Sequence, residues 1–270
     1  MFTICFNGTA VSTDCADLDG LRRHYSHKGA ITIVNGYATA ENLPITEGDE
    51  IFFIPKDSLP PQEALEAMMC ARHTPHVHDS VKKGTVAIAG LGGLGSNAAV
   101  YLARTGVGTL HLVDFDTVDA SNLNRQSYSI GDLGQYKADA LAAQIKQINP
   151  FITVKTDKVR VTEANAATLF AYDEIVCEAF DNPDAKTMLI HTLLEQCPEK
   201  YIVSASGMAG YGHSNDIVTK KITDHFYICG DQQQAARPGR GLMAPRVAIC
   251  AAHEANLIIT LLVDVLAKTR

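Results

Sequence analysis

Val86-Ala-Ile-Ala-Gly-Leu-Gly-Gly-Leu-Gly-Ser96 joins an apolar run to a glycine-rich turn, and Asn97-Ala-Ala-Val-Tyr-Leu-Ala-Arg104 follows as a helix-forming segment. The order strand, glycine turn, helix reads as a βα unit that binds a nucleotide. Gly90, Gly92 and Gly95 keep the spacing of the dinucleotide fingerprint, and Gly92 and Gly93 let backbone approach a phosphate. Unpaired N–H groups and the helix dipole favour an anion at such a helix N-terminus. A second apolar run, Thr109-Leu-His-Leu-Val-Asp114, ends in an acid about where the second strand of such folds presents a carboxylate to ribose hydroxyls. Dehydrogenases, methyltransferases and adenylate-forming enzymes all share this much of the pattern, so it does not by itself decide the chemistry.

The segments downstream narrow it. Asp114-Phe-Asp-Thr-Val-Asp-Ala-Ser-Asn-Leu-Asn-Arg-Gln126 is followed by Gly134-Gln-Tyr-Lys137 opening a helix, and by Glu178-Ala-Phe-Asp-Asn182 after a later strand. Two cations and a carboxylate downstream of one glycine loop suit a triphosphate better than a nicotinamide. Arg125 offers a planar fork and Lys137 a point charge to phosphate oxygens, while Asp181 offers a hard oxygen donor to magnesium. Asp181 also has a purely structural reading, as N-cap of the helix that begins at Pro183. Lys137 opens a helix, where a cation is unfavourable beside the dipole unless an anion sits there.

On these residues the chain resembles the ThiF/MoeB/HesA family of adenylyltransferases, relatives of the ubiquitin-activating enzymes, from about Thr85 to Asn182. The resemblance implies ATP and Mg2+ as cofactors and a small ubiquitin-like carrier protein ending in Gly-Gly as substrate. It makes Arg125, with Asn122 as a second polar contact, and Lys137 the phosphate-binding groups, Asp114 the ribose ligand and Asp181 the magnesium ligand. A sulfur donor protein, a homodimer and a sulfur-metabolite pathway such as thiamine biosynthesis are further implications. Many relatives carry two Cys-x-x-Cys pairs around a structural zinc; this sequence has none, so no such zinc is expected. Relatives also begin the enzyme domain with an arginine that reaches a neighbouring subunit's phosphates, and Arg72 is the nearest candidate here.

Before residue 57 the pattern changes. Strand, Asn7-Gly8 turn, strand, a short helix around Leu18 to Tyr25, Ile31-Thr-Ile-Val34, an Asn35-Gly36 turn and Glu50-Ile-Phe-Phe-Ile54 resemble the β-grasp fold of the ThiS/MoaD sulfur carriers. Asn-Gly between apolar runs marks a hairpin because both residues tolerate positive φ. Carriers end in a free Gly-Gly, whereas this segment runs into Pro55-Lys-Asp-Ser-Leu-Pro-Pro61, so it cannot be the substrate of its own enzyme. The expected organisation is therefore a ThiS-like β-grasp (α+β) domain over 1–57, a helix and linker over 58–82, and an ATP-binding α/β domain over 83–270, Rossmann-like, with a mainly parallel sheet covered by helices on both faces. His73, His76, His78 and Asp79 crowd the linker; metal binding is one reading of them, but without the usual zinc spacings polar linker residues are the favoured one.

Past Thr85, strands and helices alternate. Helices are expected over 137–148, 163–170, 183–196 and 247–267, and strands over 152–156, 174–177 and 201–204. His225 to Gly241 resembles the family's crossover region, which implies a path for a carrier tail and makes Cys229 a candidate nucleophile toward the acyl adenylate, with Arg237 and Arg240 as the sequence-local cations that would lower its pKa. The structural alternative for Cys229 is a buried thiol at a strand end.

Composition bounds the rest. A net charge of −7 argues against a nucleic-acid surface. His253, Glu254 and Asn256 interrupt the C-terminal apolar segment, and no basic-then-apolar leader opens the chain, so neither a membrane span nor a signal peptide is expected. Seven scattered cysteines suit a reducing cytoplasm rather than a disulfide framework. Two other functions fit parts of the pattern. One is a carrier- or nucleotide-binding pseudoenzyme. The other is an NAD-dependent oxidoreductase, which leaves Arg125, Lys137 and Asp181 without a shared purpose.

Overall fold

The computed structural model describes residues 1–25, 31–56, 60–74, 77–232, 238–239 and 241–268, in two compact units, Met1–Asp79 and Ser80–Arg270. His76, Arg237, Arg240 and the chain around the expected domain boundary at 57 lie outside the described residues.

In the first unit the strands are β1 (Phe2–Phe6), β2 (Thr9–Thr13), β3 (Ile31–Val34), β4 (Tyr37–Thr39) and β5 (Glu50–Ile54), in the sheet order β2-β1-β5-β3-β4. Only β1 and β5 run parallel, and the Asn7-Gly8 and Asn35-Gly36 turns close the two hairpins with all four residues at positive φ. Helix α1 (Leu18–His24) is capped by Asp17, whose carboxylate accepts from the Gly20 N–H. It buries Leu18 and Leu21 against Ile4, Phe6, Ile51 and Phe53.

The stretch expected to be linker does more than link. Helix α2 (Gln62–Cys70) packs Met68, with Ala71 just beyond it, against Ile33 and Phe52, which alternate with the α1-facing residues along their strands. The sheet is thus covered on both faces. A short helix α3 (Val77–Lys82) follows.

The second unit is built on β6 (Thr85–Ala89), β7 (Thr109–Val113), β8 (Thr153–Asp157), β9 (Ile175–Glu178), β10 (Tyr201–Ala205), β11 (Val218–Lys221) and β12 (Phe226–Gly230). Their order is β11-β12-β10-β9-β6-β7-β8, parallel throughout except for β11. The connecting helices are α4 (Gly93–Thr105), α5 (Lys137–Ile148), α6 (Glu163–Leu169), α7 (Pro183–Gln196) and α8 (Ala244–Thr260), the last continued by a π-helical turn over Leu261–Val265. Val86, Ala87, Ile88 and Ala89 have no exposed surface, as a strand covered on both faces requires. From β6 the chain steps outward through β7 and β8, then returns to β9 on the other side of β6. The crevice beyond the ends of β6 and β9 is therefore the switch point where such sheets bind ligands.

One expectation is corrected, for the segment around Cys229. Phe226–Gly230 is not part of an open crossover but a strand paired in parallel with β10, and Cys229 is fully enclosed in it. The helix Ala244–Lys268 is long and apolar enough, by composition, to cross a membrane. Its stripe of Val247, Cys250, Ala251, Ala255 and Ile258 is nevertheless buried, with α8 packed on α4 and β10.

Candidate active site

The glycine turn is shaped by close approach. A Cβ on Gly95 would lie 1.9 Å from the Gly90 carbonyl oxygen, and Gly90 itself holds φ +91°, with Ala179 and Phe180 of the loop after β9 against it. Gly92 is the N-cap of α4 and supplies no side-chain cap, which leaves the N–H groups of the first turn for an anion.

Polar side chains on α4 then tie the loop after β7 to this turn. Ser96 Oγ donates to the Gly92 carbonyl at 2.6 Å and accepts from the Ser127 N–H at 3.1 Å. Asn97 Nδ2 donates to the carbonyls of Gly93 and Arg125, at 2.6 and 3.0 Å, and the Tyr128 hydroxyl donates to the Leu91 carbonyl at 2.9 Å. The result is an Arg125 stem laid along Gly93, where a Cβ would lie 3.5 Å from Arg125 Cγ. The guanidinium, half-buried, donates to the Ser121 carbonyl and the Asn124 amide oxygen at 2.9 and 2.8 Å. Asn122 is spent differently from the expectation. Its side chain closes a reciprocal cap with Asp119, and its carbonyl accepts from the Arg125 and Gln126 N–H groups, so it shapes the loop that carries Arg125.

Asp114, at the end of β7, accepts from the Leu91 N–H at 2.7 Å and the Asp116 N–H at 2.8 Å. Burial raises its pKa, against the pull of those two N–H groups and of the Lys137 charge. Lys137 is itself buried, with Nζ 3.2 Å from Asp116 Oδ2 and its own N–H on the Asp116 carbonyl at 2.9 Å. Pairing of Thr117 with Tyr136 folds the loop back and brings this lysine beside the acids. The carboxylates offset the cost of a cation at the start of α5.

Asp181 follows Phe180, which touches Gly90. The N-cap of α7 is Asn182, whose oxygen accepts from Asp184 and Ala185 N–H, so the capping alternative for Asp181 does not hold. Its carboxylate is exposed and makes no hydrogen bond or ion pair among the described residues. Beneath it, fully buried Glu178 accepts from the Phe180 N–H, from Lys186 Nζ at 2.6 Å and from the Ser204 hydroxyl, fixing the loop. Nothing in the sequence marked Glu178, Lys186, Ser96, Asn97, Gln126 or Tyr128 as part of the site, since each acts through a contact that only folding creates.

Cys229 is corrected as a nucleophile candidate. Burial, with nearby Glu254, pushes its thiol up to about 12, and its neighbour is the Thr219 hydroxyl at 3.5 Å. A thiolate there is not accessible at neutral pH.

Fold and site together define a doubly wound α/β domain with a glycine turn at its switch point, Arg125 laid along that turn and the Asp114–Lys137 pair at the end of the neighbouring strand. The ThiF family pattern matches residues 66–269 and the ThiS-like ubiquitin pattern residues 2–57, and the chain belongs to the ThiF family. Among curated relatives it is 37% identical over 132 residues to a probable adenylyltransferase/sulfurtransferase, MoeZ, of Mycobacterium tuberculosis, covering 45% of this chain and 34% of that one. It is 36% identical over 133 residues to the adenylyltransferase and sulfurtransferase UBA4 of Candida glabrata, covering 49% and 30%. The chain thus spans about a third of the length of these relatives. The fold is shared with E. coli tRNA N6-threonylcarbamoyladenosine dehydratase, TcdA, solved with ATP, at a TM-score of 0.68 and 22% identity over 79% of this chain and 100% of that one.

Proposed function

We propose that this protein adenylates the C-terminal glycine of a small ThiS-like sulfur carrier, consuming ATP and releasing pyrophosphate. What supports the reading is Arg125 laid along Gly93, Lys137 close enough to Asp114 to act on its charge, and Asp181 next to the Phe180 that packs on Gly90. Gln126 supports a ligand there, because its buried Oε1 has no hydrogen-bond partner and its amide lies beside Gly92.

In the proposed reaction a carboxylate oxygen of the carrier attacks the α-phosphorus of ATP. The bond to the bridging oxygen breaks, and pyrophosphate leaves with the electron pair. No general base is needed for a carboxylate nucleophile. Backbone N–H groups at the start of α4 and the Arg125 and Lys137 charges stabilise the phosphates, while Asp114 uses its remaining lone pairs on the ribose. Asp181, exposed and uncommitted to a cap, would hold the magnesium ion, which supplies charge neutralisation on the phosphate oxygens.

A sulfur donor protein then displaces AMP from the acyl adenylate, toward thiamine or a related sulfur metabolite, with no role for Cys229. The names of the curated relatives support the adenylyl and sulfur steps. We place the enzyme in the cytoplasm, which its seven free cysteines suit, and as a homodimer, from the family resemblance. The ThiS-like unit serves docking, dimer contacts or regulation.

Calorimetric titration with Mg-ATP and, separately, NAD tests the nucleotide. Selective ATP binding followed by carrier-dependent pyrophosphate exchange is the expected result. NAD binding would overturn it, and ATP binding without exchange across ThiS-like carriers would favour the pseudoenzyme.

A further inference from the structure

Cys70 closes α2, and the chain turns back with the His73 N–H on the Cys70 carbonyl at 2.8 Å before α3 opens at Val77. This turn brings three side chains of Met1–Asp79 together. The Cys70 sulfur and one ring nitrogen each from His73 and His78 all lie within 4.8 Å of one another. The two imidazole centroids are 5.9 Å apart and tilted by 43°, so the rings are not stacked. His73 Nδ1 is enclosed and has no hydrogen-bond partner. A buried polar nitrogen left this way is costly unless something else satisfies it. Glu66 stands one helical turn before Cys70, with Oε1 3.9 Å from His78 Nε2.

We propose that Cys70, His73 and His78 bind one zinc ion, with water or another oxygen donor in the fourth tetrahedral position. Thiolate and imidazole together select a borderline-soft ion over magnesium or calcium, which take oxygen ligands. A neutral imidazole offers its ring-nitrogen lone pair to a metal, and His73 Nδ1 has no hydrogen-bond partner to compete for it. Glu66 is placed to orient the His78 ring from outside, as carboxylates do for metal-bound imidazoles. On binding, the Cys70 thiol loses its proton to solvent and the sulfur lone pair forms the bond to zinc; no redox change occurs. The ion clips the end of α2 to α3, and Arg72 lies in the clipped turn. The site is independent of the adenylation reading.

The test uses the full chain, stripped with chelator and titrated with Zn2+ and with Co2+. One equivalent of tightly held zinc is expected, and a cobalt complex with tetrahedral visible bands and a thiolate-to-cobalt charge-transfer band that zinc abolishes. Cys70→Ser removes the charge-transfer band, His73→Gln weakens zinc binding by about 100-fold, and Cys5→Ser changes neither. Absence of the thiolate band in the wild-type chain, or unaltered zinc affinity in His73→Gln, overturns the proposal. The wild-type cobalt spectrum decides the matter even if Cys70→Ser fails to fold.

Discussion

Gly95 has no room for a side chain, because a Cβ there would meet the Gly90 carbonyl oxygen at 1.9 Å and Ile88 at 3.0 Å. Backbone cannot yield as a flexible side chain can, so Gly95→Ala is expected to destabilise the second unit by about 2 kcal/mol or more. An unchanged thermal midpoint would mean the approach is looser than described. Arg125 predicts the opposite separation of effects. It is half-buried and its hydrogen bonds are to its own loop, so Arg125→Ala should leave the midpoint nearly unchanged. If it stabilises the phosphates, carrier-dependent pyrophosphate exchange should fall by about 100-fold; full activity would remove it from the site. At this scale the glycine turn and the strand-end position of Asp114 were legible in the sequence, because residue type and spacing in a linear motif dictate them; the ligand roles of Arg125, Lys137 and Asp181 remain part of the proposal. The sequence did not carry the true positions of Asn122 and Cys229. Both stand in polar or glycine-rich surroundings, and whether such a residue faces a ligand or a neighbouring backbone depends on contacts distant in the chain. The His73 and His78 cluster was visible, but Cys70 sits in a different element and was not connected to it.

Helix α8 shows how one element joins core and electrostatics. Val247, Cys250, Ala251, Ala255 and Ile258 recur at helical spacing and bury together, and Glu254 falls on the same stripe with no exposed surface. Burial pushes the Glu254 carboxyl up to about 8, with Glu178 adding to the rise and Lys186 opposing it. The group facing it from β9 is Cys177, whose sulfur lies 3.7 Å from Oε1. Because the folded-state value exceeds the ordinary 4.5, the folded protein holds a proton that the unfolded chain releases. The stabilising contribution is complete below the unfolded value and is lost as pH rises through about 8. Stability should therefore fall between those limits by up to about 1.4 kcal/mol per pH unit, and Glu254→Gln should flatten the slope. Denaturant midpoints measured across that window decide it, and parallel slopes for variant and wild type would show that another group governs the loss. From sequence, Glu254 read only as an interruption of an apolar segment. Its meaning required knowing which face of the helix is covered.

The whole molecule contains two units with their own cores, and a ligand of one should register in that unit's unfolding. If Mg-ATP binds at the switch point, a concentration 100-fold above its Kd should stabilise Ser80–Arg270 by about 2.7 kcal/mol. Differential scanning calorimetry should then show a transition that moves with Mg-ATP and does not move with NAD; identical scans with and without Mg-ATP would contradict a preformed site. The order of strands and helices up to β10, the two hairpins closed by Asn-Gly and the glycine turn were determined by the sequence itself. Local periodicity, positive-φ turn residues and a phosphate motif act over a few residues and do not need the fold to be read. Tertiary structure alone decided that α2 belongs to the first sheet, that Phe226–Gly230 is a paired strand, and that Glu178, Lys186 and Ser204 brace the Asp181 loop. Those outcomes depend on which surfaces meet, and burial and partner choice are properties of the assembled core rather than of any segment within it.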